Sequence, residues 1–137
     1  IMIKDLVSYL DFKKIDIRVG TIMSAEINNK LMLPSIILKI DFGKKIGIKK
    51  SSAQLIKNYN SKKLINKQII AVINFEPKQI GNIMSEVLVL GLPDDINEPV
   101  LVSPDIKIYN GESHPHDIQK PRLVDFNNLN RKNTVRI

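Results

Sequence analysis

A small all-β barrel is the fold this sequence predicts, and three observations predict it. Apolar residues fall in short runs or alternate with polar ones, Gly, Pro and Asn punctuate the gaps, and almost no stretch carries a helical period. A length of 137 residues suits one domain with a single core. No internal repeat or heptad complicates the reading.

The elements follow in order. Leu6, Val7 and Leu10 lie three and four apart, which predicts one or two turns of amphipathic helix over residues 4–10, ending before Asp11. So short a helix needs a partner surface, one reason to expect a homodimer. From Ile15 the pattern is β, with Ile15, Ile17 and Val19 alternating with Asp16 and Arg18. Gly20 invites a bulge or bend, and the strand runs on to Ile27. Asp16 and Arg18, two apart on one strand face, form a structural salt bridge in this reading.

A second strand, residues 36–42, follows Pro34, and residues 41–44 make the hairpin turn into a strand over residues 46–52. Residues 54–58 suit a helical turn. Residues 67–75, 86–90 and 99–102 complete the strand set, and Asp94-Asp95 marks a turn. Residues 74–92, NFEPKQIGNIMSEVLVLGL, join a polar, shaped, non-repetitive loop to the apolar run Val87, Leu88, Val89 and Leu90. The tail, residues 114–137, has two Pro, four Asn and five basic residues against Asp117 and Asp125. It reads as a basic C-terminal extension, either an arm or an added strand docked through Leu123, Val124, Phe126, Val135 and Ile137. The globular domain is therefore expected over residues 1–113.

Composition narrows the chemistry. With no Cys there is no disulfide framework, zinc ribbon or thiol nucleophile, which suits a reducing cytoplasm. No apolar run is long enough for membrane insertion, and the N-terminus has no small-residue cleavage site, so a cytoplasmic location is expected. Both His flank Pro115, at His114 and His116, with no third ligand nearby, so no metal and no cofactor is expected. No nucleophile-base set, paired carboxylates or phosphate-cradling Gly-rich loop appears; the chain reads as a binder and not an enzyme.

A net charge of +7 suggests an anionic partner, but 17 of the 21 basic residues are Lys in an Ile- and Asn-rich chain, so position matters more than total. Between Lys44 and Lys78 lie nine Lys and one acid, Glu76, enough for a positive barrel face. Within that run Lys49-Lys50-Ser51-Ser52-Ala53-Gln54 sets two cations beside hydroxyls and an amide, donors suited to phosphate and ribose oxygens. Aromatics are few; Phe12, Phe42 and Phe75 sit at strand ends, where core packing is expected. A general single-strand platform, in which each stacked base is worth about 1–3 kcal/mol, is therefore disfavoured, whereas folded RNA read through backbone and 2′-OH needs no such platform.

Three blocks, DFKKIDIRVGTI (residues 11–22), DFGKKIGIKKSSAQL (residues 41–55) and residues 74–92, agree in order and spacing with a known family. The chain resembles the tRNA-binding domain family of OB-fold proteins, most closely its CsaA-type branch of export-chaperone-like homodimers, over about residues 9–111. After Glu26 the wider family's His-Pro-rich turn is replaced by Ile27-Asn28-Asn29-Lys30-Leu31-Met32-Leu33-Pro34, which favours that branch. The resemblance implies a five-stranded Greek-key OB barrel, a homodimer, and tRNA or other folded RNA as partner. Carried over by residue, it nominates Lys49, Lys50, Ser52, Asn74, Lys78 and Ser85 for nucleic-acid binding. For Ser52, Asn74 and Ser85 the competing role is satisfying backbone groups at strand ends; Glu86 is read as structural. The CsaA branch implies a second function, a chaperone for unfolded preproteins working with the export ATPase, for which Met32, Leu33, Phe75, Ile83 and Met84 supply adaptable apolar surface. The third reading is a structural dimeric barrel that binds one specific protein.

Overall fold

The computed structural model describes residues 2–30, 32–55 and 57–111. The Ser8 hydroxyl accepts the Asp11 N–H at 3.1 Å and caps α1 (Tyr9–Lys13). The helix thus lies later than residues 4–10, where apolar spacing placed it. The cap, with Asp11 in the first turn, decides the start, and Leu6, Val7 and Leu10 stay exposed.

The remaining elements are β1 (Ile17–Asn28), β2 (Ser35–Asp41), β3 (Ile48–Ala53), α2 (Ser61–Leu64), β4 (Gln68–Val72), β5 (Lys78–Ile80), β6 (Ile83–Ser85), β7 (Leu88–Val89), β8 (Gly91–Pro93) and β9 (Pro99–Leu101). Five of them form one antiparallel sheet in the order β3-β2-β1-β4-β7, and β5-β6 and β8-β9 are separate hairpins. The sheet curls into a nearly closed, five-stranded OB-type barrel, as the sequence predicts. Ile36, Leu38 and Ile40 of β2 point inward by simple alternation and meet Ile22, Phe42, Leu64 and Ile69, all fully buried. Each such side chain contributes about 1.5–3 kcal/mol of transfer free energy.

β1 bends where the β1–β2 register jumps between Ile22 and Ser24, so the irregularity lies at Met23 and not at Gly20. Gly20 serves close packing instead. A Cβ there would sit 2.5 Å from Ile40 Cγ2 and 2.7 Å from the Phe42 ring. Asp16 and Arg18 pair at 2.7 Å, as expected of neighbours on one strand face.

Other expectations need correction. Tyr59 N–H does donate to Leu55 C=O at 3.1 Å, the i+4 bond of the helical turn expected about residues 54–58, but a helix not expected from the sequence forms at α2, where the Asn60 side chain accepts the Lys63 N–H and Leu64 plugs the core. The loop over residues 74–85 is not irregular throughout. It contains the β5-β6 hairpin, closed by Gly81-Asn82, a two-residue hairpin turn. Residues 86–90 are not one strand, because two partners divide them: β3 takes Glu86 and Val87, while β4 pairs with β7 and, through Ile70, takes Leu90 as well. Phe42 is core and Phe12 half-buried, but Phe75 is 52% exposed because β4 ends before it. The tail, with His114 and His116, lies outside the described residues.

Candidate nucleic-acid interface

β3 pairs with β2 along one edge, and its other edge must also find partners if the barrel is to close. Residues 85–87 supply them. Glu86 N–H donates to Lys50 C=O at 2.8 Å, and Lys50 N–H donates back to Glu86 Oε1 at 3.0 Å. Ser52 N–H donates to Ser85 Oγ at 3.1 Å, and the buried Ser51 hydroxyl donates to Val87 C=O at 3.2 Å. Side chains thus replace a regular ladder at the seam.

Beside the seam lies a cleft of about 580 Å³ between the end of β3, the β5-β6 hairpin and the β7–β9 region. Ser52, Gln54, Lys78 and Ser85 bring polar groups to it; Phe75, Ile80 and Leu88 bring apolar surface. Glu76 adds the one carboxylate besides Glu86.

Of the nominated residues, Ser52, Lys78 and Ser85 share this cleft. Lys50 is exposed on the same face of β3 as Ser52, within the strand expected over residues 46–52. Alternation therefore sends the half-buried Lys49 to the opposite face, with Ser51. Asn74 stands apart as well. Its Oδ1 accepts the Asp16 N–H at 2.8 Å and its Nδ2 donates to Lys14 C=O at 2.7 Å, tying the end of β4 to the chain entering β1. The Ser85 and Asn74 side chains each satisfy a backbone N–H, whereas the Ser52 hydroxyl lies 3.2 Å from that of Ser35.

Of the apolar nominees, Phe75 lines the cleft, Ile83 is half-buried and Met84 is 45% exposed on β6. Met32 and Leu33 are exposed in the β1–β2 loop, whose base is joined to the hairpin tip by Asn28 Nδ2 donating to Asn82 Oδ1 at 3.0 Å. Ile80 and Leu88 were not singled out from the sequence; recognising Gly81-Asn82 as a hairpin turn would have put Ile80 on a short strand opposite Ile83.

Asp94 is held below the usual carboxylate range, first by the Glu98 N–H and then by the Asn58 side-chain amide, with a further contribution from the Ile96 N–H. It organises the turn before β9 and not the cleft. Among the described residues no three His, Cys, Asp or Glu cluster to hold a metal, and no helix is long and apolar enough to cross a membrane.

The comparisons with known proteins agree with this fold. Residues 17–113 match the family described as "Putative tRNA binding domain". The methionine–tRNA ligase of Flavobacterium psychrophilum is 34% identical over 80% of this chain, which spans only 16% of that ligase. The chaperone CsaA structure from Bacillus anthracis is 42% identical, with a TM-score of 0.74, covering 79% of this chain and 97% of its own. The CsaA chaperone structure from Picrophilus torridus is 50% identical, with a TM-score of 0.70, over 75% of this chain and 94% of its own. On sequence and on fold alike, the chain belongs to the tRNA-binding domain family and is similar to its CsaA-type members.

Proposed function

We propose that this protein binds folded RNA, tRNA first among candidates, as a non-enzymatic cytoplasmic homodimer, with Lys50 and Lys78 at the centre of the contact surface. The observation that carries the reading is the meeting of Lys78, Ser52, Ser85 and Gln54 in one cleft of a tRNA-binding domain. The ammonium groups meet phosphates, and hydroxyl and amide groups meet ribose and phosphate oxygens, the contacts that position RNA without reading its sequence. Lys49, on the other face of β3, and Asn74, engaged at both ends of its amide, play lesser parts. Exposed apolar residues in the N-terminal segment, Met2, Ile3, Leu6, Val7 and Leu10, supply the surface a second copy would cover.

The test is fluorescence anisotropy of labelled total tRNA at two salt concentrations, with the Lys49→Ala/Lys50→Ala/Lys78→Ala variant alongside. Phosphate binding weakens with a log-log slope of about −0.7 to −0.9 per neutralised phosphate. Steep salt dependence, lost in a folded variant, is the expected result; absence of binding at low salt removes the reading.

A second reading has its own observation. Phe75, Ile80 and Leu88 give the same cleft an apolar wall, with Phe75 and Leu88 about half exposed, and Met32, Leu33, Ile83 and Met84 extend apolar surface toward the β1–β2 loop. Unfolded preproteins, handed to an export ATPase, are the partners it would suit, and their binding should vary little with salt.

A further inference from the structure

A second cleft opens at the opposite end of β3, where the β2–β3 loop meets the last described residues. It measures about 500 Å³ and is lined by Asp41, Gly43, Lys44, Gly47, Ile48, Tyr109 and Asn110. β3 advances about 3.3 Å per residue, and Ile48 at this cleft lies three to five residues from Ser51, Ser52 and Ala53 at the other, so the two stand roughly 10–17 Å apart along the strand. Tyr109 is 72% exposed, yet its backbone is immobilised on both sides. Gln68 clamps Ile108, donating to its C=O at 2.5 Å and accepting its N–H at 2.9 Å. Thr21 donates to the Asn110 side chain at 2.6 Å, and Gly111 N–H bonds Val19 C=O at 2.9 Å.

The braced backbone has given up part of the freedom that ligand binding normally costs, leaving the two side-chain torsions of Tyr109 to be ordered. Opposite it, Gly43 and Gly47, at φ 90° and 86°, let the loop turn without side chains that would fill the cleft. The Asp41 carboxylate, braced through Oδ1 by the Gly43 N–H at 2.8 Å, supplies an acceptor, and the exposed Lys45 follows Lys44 in the loop.

From this set we infer that the cleft takes one unpaired nucleotide of the RNA. The base stacks on Tyr109, a base amino group or ribose hydroxyl donates to Asp41, and the adjoining phosphate lies against Lys45. A single ring is no platform for a strand but suffices for one base. A polypeptide groove would need an apolar floor, and Ile48 is the one aliphatic side chain lining this cleft. The inference rests on the RNA-binding reading and adds to it a contact with an unpaired nucleotide, remote from the seam cleft.

The experiment titrates the full chain with labelled hexa-adenylate, a blunt-ended, fully paired RNA duplex and total tRNA, comparing Tyr109→Leu and Tyr109→Phe. Because Tyr109 is exposed, both variants should fold, which circular dichroism checks. Loss of one stacked base predicts a roughly tenfold weaker hexa-adenylate complex for Tyr109→Leu, a change within about twofold for Tyr109→Phe, and no change for the duplex. Equal binding of hexa-adenylate by wild type and Tyr109→Leu overturns the inference, as does tRNA binding without any hexa-adenylate binding; both leave the RNA-binding reading standing. If no RNA binds at all, that reading falls and the inference falls with it.

Discussion

The two ends of β3 offer opposite solutions to presenting polar groups. At the seam, Ser85, Glu86 and Ser51 spend their hydrogen bonds on the backbone of β3 and its neighbour, so the cleft beside them is built into the closure of the barrel. At the loop end, the bracing comes from behind, through Gln68 and Thr21, and the Tyr109 ring faces solvent. Changes at the seam should therefore disturb fold and binding together unless confined to the rim lysines, whereas changes at the loop end should spare the fold.

The largest effect removes both ends at once. Phe42, fully buried against Gly20, underlies the barrel, and Phe42→Ala should lose about 3–5 kcal/mol in urea unfolding. A loss under 1 kcal/mol would mean the core is not organised around that ring. Next comes Lys50→Ala/Lys78→Ala, expected to weaken tRNA binding roughly tenfold and flatten the salt slope by about 1.5, with unfolding changed by less than about 0.5 kcal/mol. Undiminished affinity would move the RNA surface off the seam.

Smaller effects separate architecture from contact. Asn74→Ala forfeits two backbone ties and should cost about 1–2 kcal/mol, and Ser85→Ala, which strands the Ser52 N–H, about 1 kcal/mol. Neither side chain is charged, so the salt slope for tRNA should not change in either; a changed slope would mean that the lost tie has displaced the lysines. The smallest concerns Asp94, whose carboxyl the folded turn holds below its ordinary value. A lowered folded-state value favours the ionised form, so the stability from this group is fully present above the ordinary carboxylate value of about 3.9 and lost as pH falls through the lowered one. Thermal melts of Asp94→Asn should therefore lose less between neutral pH and strong acid than wild type does, and identical profiles would show that this turn is not titrating.

Much of the fold was legible because alternation is a strong signal. Ile36, Leu38 and Ile40 announce an inward strand face, and the Asp16 and Arg18 pair follows from the same period. Short-range chemistry was harder to read. Ser8 and Asn60 fixed the two helices by capping, against apolar spacing in one case and unforeseen in the other. The candidate site was legible only in part, for a different reason. Lys78, Ser52 and Ser85 come together only because a hairpin turns at Gly81-Asn82 and residues 85–87 cross to β3, contacts between distant segments that no local pattern encodes. Lys49 and Lys50 look equivalent in a run of cations, and strand geometry separates them.

The most direct test is a backbone amide NMR titration of the full chain with unlabelled tRNA at low salt. The account predicts shifts concentrated at Lys50, Ser52, Gln54, Lys78 and Ser85, receding as salt is added. Shifts confined to Met32, Leu33 and Met84, or none at any tRNA concentration, would contradict it.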